Sequence, residues 1–278
     1  MTTPYAEVIG DPVGHSKSPL IHNFWLAKLG IDAEYRACHV RPDALEDYFA
    51  RRREDPAWRG CNVTIPHKEN VAALVDEADS LASRMGAVNT VVRRADGRIA
   101  ATNTDVDGIA DAVAGCEPGG RHAVVIGAGG AARAAFAVLA EPGYAAVRVL
   151  ARSPDRAIRA ASASGLTIDV HRFNAAGIGA LAGAALLINA TQLGMTGQEP
   201  MPQFVLAGLA DMAADALVFD MVYAPLETAL LQAAREREMR TADGLVMLIG
   251  QAARAFELFF GHPAPREHDA ELRALLTS

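Results

Sequence analysis

Cysteine is scarce in this 278-residue chain: Cys38, Cys61 and Cys116 are the only three, and they lack the pair spacing of a zinc site or a disulfide framework. Reduced thiols in a cytoplasm are the expectation. His15, His22 and His67 lack the helical spacing of a metal pair, so no metal is expected and the three read as local hydrogen-bonding residues. No stretch gathers Lys and Arg into a basic stripe, and the net charge is −7, which argues against a nucleic-acid partner. Long apolar runs are also missing. The most apolar window, "GIGALAGAALLINA", is too short and too glycine-rich to span a bilayer, and "MTTPYAEVIG" carries no basic segment leading into an apolar signal core. There is no solenoid repeat and no polar low-complexity linker. A globular protein without membrane association is expected. Composition does not decide between monomer and homodimer.

What is present is 51% hydrophobic and 21% charged, enough to build sizeable cores, and the length points to about two domains. "YAEVIG" alternates like a strand, "DPVGHSKSP" is a loop, and "LIHNFWLAKLG" has helical spacing closed by Gly30. "AEYRACHV" and "GCNVTI" read as further strands, with "DALEDYFARRRE" and "HKENVAALVDEAD" as helices, so a mainly parallel sheet is expected. Asp96 and Gly97 then mark a tight hairpin. From "HAVVIGAGGAARAAFAVLA" onward strands and helices alternate again, as in a doubly wound, Rossmann-like dinucleotide-binding domain. "ETALLQAAREREM" and "GLVMLIGQAARAFELFFG" are long helical patterns near the end. The expected fold is α/β in two domains. Residues 1–104, completed by 244–278, form a substrate domain, and residues 105–243 the dinucleotide domain, with a ligand cleft between them.

Gly127, Gly129 and Ala132 form a G-x-G-x-x-A pattern between a strand and a helix. The first glycine permits a tight turn, the second lets backbone approach a pyrophosphate, and the small third residue lets helix and strand pack closely. Methyltransferases and purely structural turns use the same triplet. After the next strand stands Arg152, with Ser153 and Arg156 following, where an NAD enzyme carries an acid. A guanidinium there suits the 2′-phosphate of NADP.

Ser16 and Ser18, two apart in "GHSKSP", can turn both hydroxyls to one side, although serines in such loops also cap turns. Asn62 and Thr64 share one face of their strand. Pro66 suits the start of a helix, which puts Lys68 in its first turn, where the helix dipole eases loss of the ammonium proton. A surface lysine is the alternative. Asp105, in "TNTDVDG", is an acid that can orient such an amine, and its position also fits a helix N-cap.

"GHSKSPLIHN", "CNVTIPHKEN", "GAVNT", "TNTDVDG", "GAGGAA", "NATQLGM", "DMVYAP" and "DGLVMLIGQAA" stand in that order along the chain. On these eight motifs the sequence resembles the shikimate dehydrogenase family over nearly its full length. The resemblance implies NADP-dependent reduction of 3-dehydroshikimate to shikimate, with Lys68 and Asp105 as catalytic pair. It implies that Ser16 and Ser18 bind the substrate carboxylate, that Asn62, Thr64, Asn89 and Gln251 bind its hydroxyls, and that Tyr223 touches it. It also implies cofactor contacts from Gly127, Ala128, Gly129, Gly130, Ala131, Ala151, Arg152, Ser153, Arg156, Met221 and Gly244. The family usually has asparagine where this chain has Ala151. The nearest rival is an NAD-dependent quinate/shikimate enzyme, which an acid at 150–153 would favour; a non-catalytic NADP-binding sensor would not need both Lys68 and Asp105.

Overall fold

Strand β1 (Tyr5–Gly10) is buried along its whole length and sits between β2 (Glu34–His39) and β3 (Trp58–Val63), parallel to both. Residues 2–141 and 143–278 are described by this computed structural model. The first sheet continues through β4 (Glu77–Ala78), β5 (Thr90–Arg93) and β6 (Ile99–Thr102) in the order β2-β1-β3-β5-β6-β4. Strands β5 and β6 form the antiparallel hairpin, turned at Gly97 with φ +87°, a conformation that favours glycine. Pairing of β3 with β5 is antiparallel as well, so the sheet is mixed.

Helix α1 (Ser18–Leu29) starts with a proline in its first turn and stops at left-handed Gly30. Helix α2 (Leu45–Arg53) connects β2 to β3, and α3 (Ser80–Met85) connects β4 to β5. The expected helix over "HKENVAALVDEAD" does not form. Residues 66–70 are turns, Val71–Leu74 is a 3-10 turn, and the chain then extends as β4. Sheet pairing overrides the helical spacing: Asp76 N–H donates to the Ile99 carbonyl at 2.9 Å, Asp79 N–H to that of Ala101 at 3.0 Å, and β4 pairs parallel with β6.

The second sheet, β12-β11-β10-β7-β8-β9, is parallel throughout. Its strands are β7 (Ala123–Ile126), β8 (Val147–Ala151), β9 (Asp169–Arg172), β10 (Leu186–Asn189), β11 (Leu217–Asp220) and β12 (Arg240–Ala242). The central runs AVVI, LLIN and LVFD are buried at every position, as strands covered on both faces must be. Around them lie α4 (Asp105–Val113), α5 (Gly130–Leu139), α6 (Pro154–Ser162), α7 (Gln203–Gly208), α8 (Ala229–Arg235) and the start of α9 (Gly244–Phe260). Helix α8 is shorter than its sequence pattern because residues 236–239 turn, with Glu238 at φ +57°, to feed the edge strand β12.

Contacts divide the chain into Met1–Thr104 with Gln251–Ser278, and Asp105–Gly250. The chain passes from one unit to the other after Thr104 and returns inside α9, between Gly250 and Gln251. In the first unit the second half of α9 contributes Ala255 and Phe259 to a core with Ala6, Val8 and Tyr35, and α10 (Asp269–Thr277) closes the chain. Among the described residues no helix is long and apolar enough to cross a membrane.

Candidate active site

In the first unit, two of the side chains expected to bind substrate, Asn62 and Asn89, are joined through Thr90 in a buried hydrogen-bonded network. Ser18, at the start of α1, is buried, and its N–H donates to the Ser16 hydroxyl at 3.3 Å. From β2 the Tyr35 hydroxyl donates to Asn62 Oδ1 at 2.6 Å. Asn62 Nδ2 donates to Thr90 Oγ1 at 3.0 Å and to the Asn89 carbonyl at 3.3 Å. Thr90 donates in turn to Asn89 Oδ1 at 2.9 Å, and Asn89 Nδ2 to Thr104 Oγ1 at 3.1 Å. Asn62 and Asn89 are held by neighbouring backbone too: Thr104 N–H donates to Asn89 Oδ1 at 2.7 Å. A network of this kind fixes amide orientation.

Tyr35, Thr90 and Thr104 are functional candidates that motif reading missed. The two threonines stand in "GAVNT" and "TNTDVDG", directly beside residues the motifs singled out. Tyr35 gives no local signal, since its alternation reads only as core. Its ring lies flat on His22, with centroids 4.0 Å apart and planes 4° from parallel. His22 is fully buried, and neither ring nitrogen has a hydrogen-bond partner among the described residues, contrary to the expectation of a hydrogen-bonding residue. Aromatic rings of Trp25, Phe256 and Phe259 surround it, and burial pushes the imidazole down to about 3. His67 Nε2 is hydrogen-bonded to the carbonyl of Val40, 27 positions away in the sequence, at 2.6 Å.

Lys68 is half-buried in the turn that follows Pro66. Without a helix there, the dipole argument for its amine does not apply. Its backbone carbonyl accepts from Val88 N–H at 2.8 Å, which ties the turn to the segment leading into Asn89 and β5. Thr64 lies just past the end of β3, with its methyl against Gly10. Gln251 is buried in α9.

In the second unit, strand order reverses at β7, whose neighbours are β10 and β8. The glycine-rich turn leaves β7 at this switch point, where ligands of such sheets bind. Gly127 has φ +113°, and a side chain there would meet the Thr191 methyl at 2.9 Å and the Ala190 carbonyl oxygen at 3.1 Å. Gly129 and Gly130 face open space, while Ala132 is fully buried against the sheet. Ala128 and Ala131 complete the turn into α5, whose first N–H groups lack intrahelical acceptors. Ala151 ends β8 and is buried. Arg152, Ser153 and Arg156 follow it, all exposed, with Ser153 preceding α6. This donor set suits a dinucleotide bearing a 2′-phosphate: open glycine backbone for the pyrophosphate, two guanidiniums at the strand end and no acid from 150 to 153.

The loops after β10 and β11 are shaped by fully buried Asp220. Asn189 Nδ2 and Val222 N–H donate to its Oδ1 at 2.8 and 3.1 Å, and Thr228 to its Oδ2 at 2.7 Å. Burial raises the Asp220 carboxyl above its ordinary range despite these three donors. Met221 N–H donates to the Asn189 carbonyl at 3.1 Å, and a side chain at Gly244 would lie 2.4 Å from the Met221 carbonyl oxygen. Half-buried Tyr223 follows, its phenol pushed up by burial. Asp105 is buried as the first residue of α4, one position inside the helix from the N-cap position its sequence suggested.

A family model described as the shikimate dehydrogenase substrate binding domain matches residues 8–91, and one described as the shikimate 5'-dehydrogenase C-terminal domain matches residues 244–271. A shikimate dehydrogenase (NADP(+)) of Sphingopyxis alaskensis is 50% identical over 276 residues, covering 99% of this chain and 98% of its own. The crystal structure of shikimate 5-dehydrogenase from Thermus thermophilus in complex with NADP(H) and shikimate aligns with a TM-score of 0.83 at 34% identity, covering 98% of this chain and 99% of that one. Quinate dehydrogenase from Corynebacterium glutamicum in complex with NAD aligns at 0.85 and 30% identity, covering 98% and 99%.

Proposed function

This chain belongs to the shikimate dehydrogenase family, and from that premise we propose that it interconverts 3-dehydroshikimate and shikimate with Lys68 and Asp105 as its acid–base pair. The reaction class and the NADP dependence are carried by one observation, the 50% identity to an NADP-dependent relative over 99% of the chain. NADPH, when bound, supplies the hydride.

The chain's own residues do the rest. Lys68 gives a proton to the substrate oxygen in reduction and takes it back in oxidation, and the Asp105 carboxylate accepts from the same hydroxyl and orients the amine. Ser16 and Ser18 hold the carboxylate through their hydroxyls; Asn62, Thr64, Asn89 and Gln251 hold the ring hydroxyls, and Tyr223 lies against the substrate. Gly127, Ala128, Gly129, Gly130 and Ala131 receive the pyrophosphate on backbone N–H groups. Arg152 and Arg156 take the 2′-phosphate, with Ala151 and Ser153 beside the adenosine, and Met221 and Gly244 border the nicotinamide end. Against the NAD-using quinate relative stands the sequence "ARS" after β8, which offers cation and hydroxyl where ribose recognition by NAD enzymes uses an acid.

The test is single-turnover hydride transfer measured beside shikimate affinity. Lys68→Met lowers the transfer rate by about two to four powers of ten, the scale of acid–base catalysis, and leaves affinity within a few-fold. Asp105→Asn is also severe, and the double variant loses much less than the product of the two. Normal transfer with poor affinity would reduce Lys68 to a binding residue.

A further inference from the structure

We propose that Tyr35 is a positioning residue for substrate recognition: its buried hydroxyl locks the Asn62 amide so that Asn62 presents only an acceptor to the substrate. The inference rests on the reading of Asn62 as a substrate contact.

An asparagine amide has two N–H donors and two acceptor lone pairs on its oxygen. Both N–H groups of Asn62 are committed within the protein, to Thr90 Oγ1 and to the Asn89 carbonyl, and one lone pair of Oδ1 is taken by the Tyr35 hydroxyl. One lone pair remains. Asn62 can therefore accept from a substrate hydroxyl and cannot donate to a carboxylate or carbonyl. Exchanging Oδ1 and Nδ2 would face the amide oxygen with the Asn89 carbonyl, oxygen against oxygen, while Tyr35 would lose its acceptor. The amide thus has one orientation, enforced from two sides.

Tyr35 can do this because of where its ring lies. It is on β2, two strands from Asn62 on β3, and reaches across β1, where its neighbour in register is Ala6, a side chain small enough to pass over. His22 stacks on the ring from one side, so the hydroxyl has little freedom to swing.

The test is a double-mutant cycle on the full-length enzyme, read as KM for shikimate. Tyr35→Phe keeps the ring and its stacking and removes only the hydroxyl. It raises KM for shikimate about tenfold, the usual scale for one buried hydrogen bond, with kcat and KM for NADP within threefold. In an Asn62→Ala background the same change adds nothing further. Thr90→Val, which releases the amide from its other side, raises KM likewise, and Thr90→Ser restores it; this pair carries the test if Tyr35→Phe does not fold. If Asn62→Ala raises KM while Tyr35→Phe leaves it unchanged, or if the two effects multiply independently, the positioning role is overturned and the substrate contact stands. If Asn62→Ala itself leaves KM unchanged, the substrate reading of Asn62 fails and this inference with it.

Discussion

Replacing His22 by phenylalanine should flatten the acid dependence of the first unit's stability. The imidazole is fully buried among aromatic rings, with no partner on either nitrogen among the described residues, and its value lies at about 3 in place of 6.5. Because the folded value is depressed, the unfolded chain binds the extra proton between those limits, so stability falls as pH drops below about 6.5 and the loss saturates below about 3. At pH 4.5 the unfolded histidine is two units below its own value while the folded one is still neutral. At 1.36 kcal/mol per unit, the penalty relative to pH 7.5 is about 3 kcal/mol. His22→Phe keeps the flat face against Tyr35 and cannot bind a proton. It overpacks the site at a cost of roughly 1–3 kcal/mol, equal at both pH values and absent from the difference. Both tryptophans, Trp25 and Trp58, are buried in this unit, so urea unfolding followed by their fluorescence reads it directly. The wild type should lose about 3 kcal/mol more than the variant between pH 7.5 and 4.5. Equal losses would mean that the buried ring carries a proton acceptor or titrates normally, and the account of an unpartnered imidazole would fall.

Two further outcomes concern the dinucleotide side. Arg152→Leu removes a charge-assisted contact of about 1.5–3 kcal/mol to the 2′-phosphate, so NADP affinity should drop by one to two powers of ten with NAD affinity nearly unchanged; equal losses would assign Arg152 to a shared contact or to the fold. Gly127→Ala puts a methyl 2.9 Å from the Thr191 methyl at φ +113°, a strain of about 1–3 kcal/mol. Calorimetric titration should show at least tenfold weaker NADP binding with unchanged shikimate affinity, and unchanged NADP binding would refute the requirement for glycine.

Much of this architecture is legible from hydrophobic pattern because buried parallel strands and glycine turns leave local marks. β7 with its G-x-G-x-x-A turn and the Asp96–Gly97 hairpin are of that kind. The edge strands β4 and β12 are not, being two and three residues long and defined by pairing partners remote in sequence. The helix expected after Pro66 failed for the same reason: Val71, Leu74 and Val75 have helical spacing, but the backbone beyond them finds acceptors on β6. In the site, Asn62, Asn89 and the serines are visible as polar residues in otherwise apolar or turn-rich stretches. Tyr35 is invisible, since nothing local tells an aromatic residue with a working polar atom from one that merely fills the core, and nothing local shows that the His22 ring is buried without a hydrogen-bond partner among the described residues.

The chain enters the second unit after Thr104 and leaves it at Gly250, where α4 and α9 touch: a side chain on Gly250 would sit 3.0 Å from the Gly108 Cα. The two ends of that unit are therefore neighbours, as in a domain inserted into a host, and this sets an order on synthesis. The inserted unit is contiguous and can close as soon as it has emerged from the ribosome. The host cannot, because Phe256 and Phe259, which complete the cluster around His22 and Tyr35, are translated after it. At about 5–20 residues per second the host waits on the order of ten seconds with one aromatic wall uncovered. During that interval the surface that will align Asn62 is the part of the nascent chain most in need of protection from other hydrophobic surfaces.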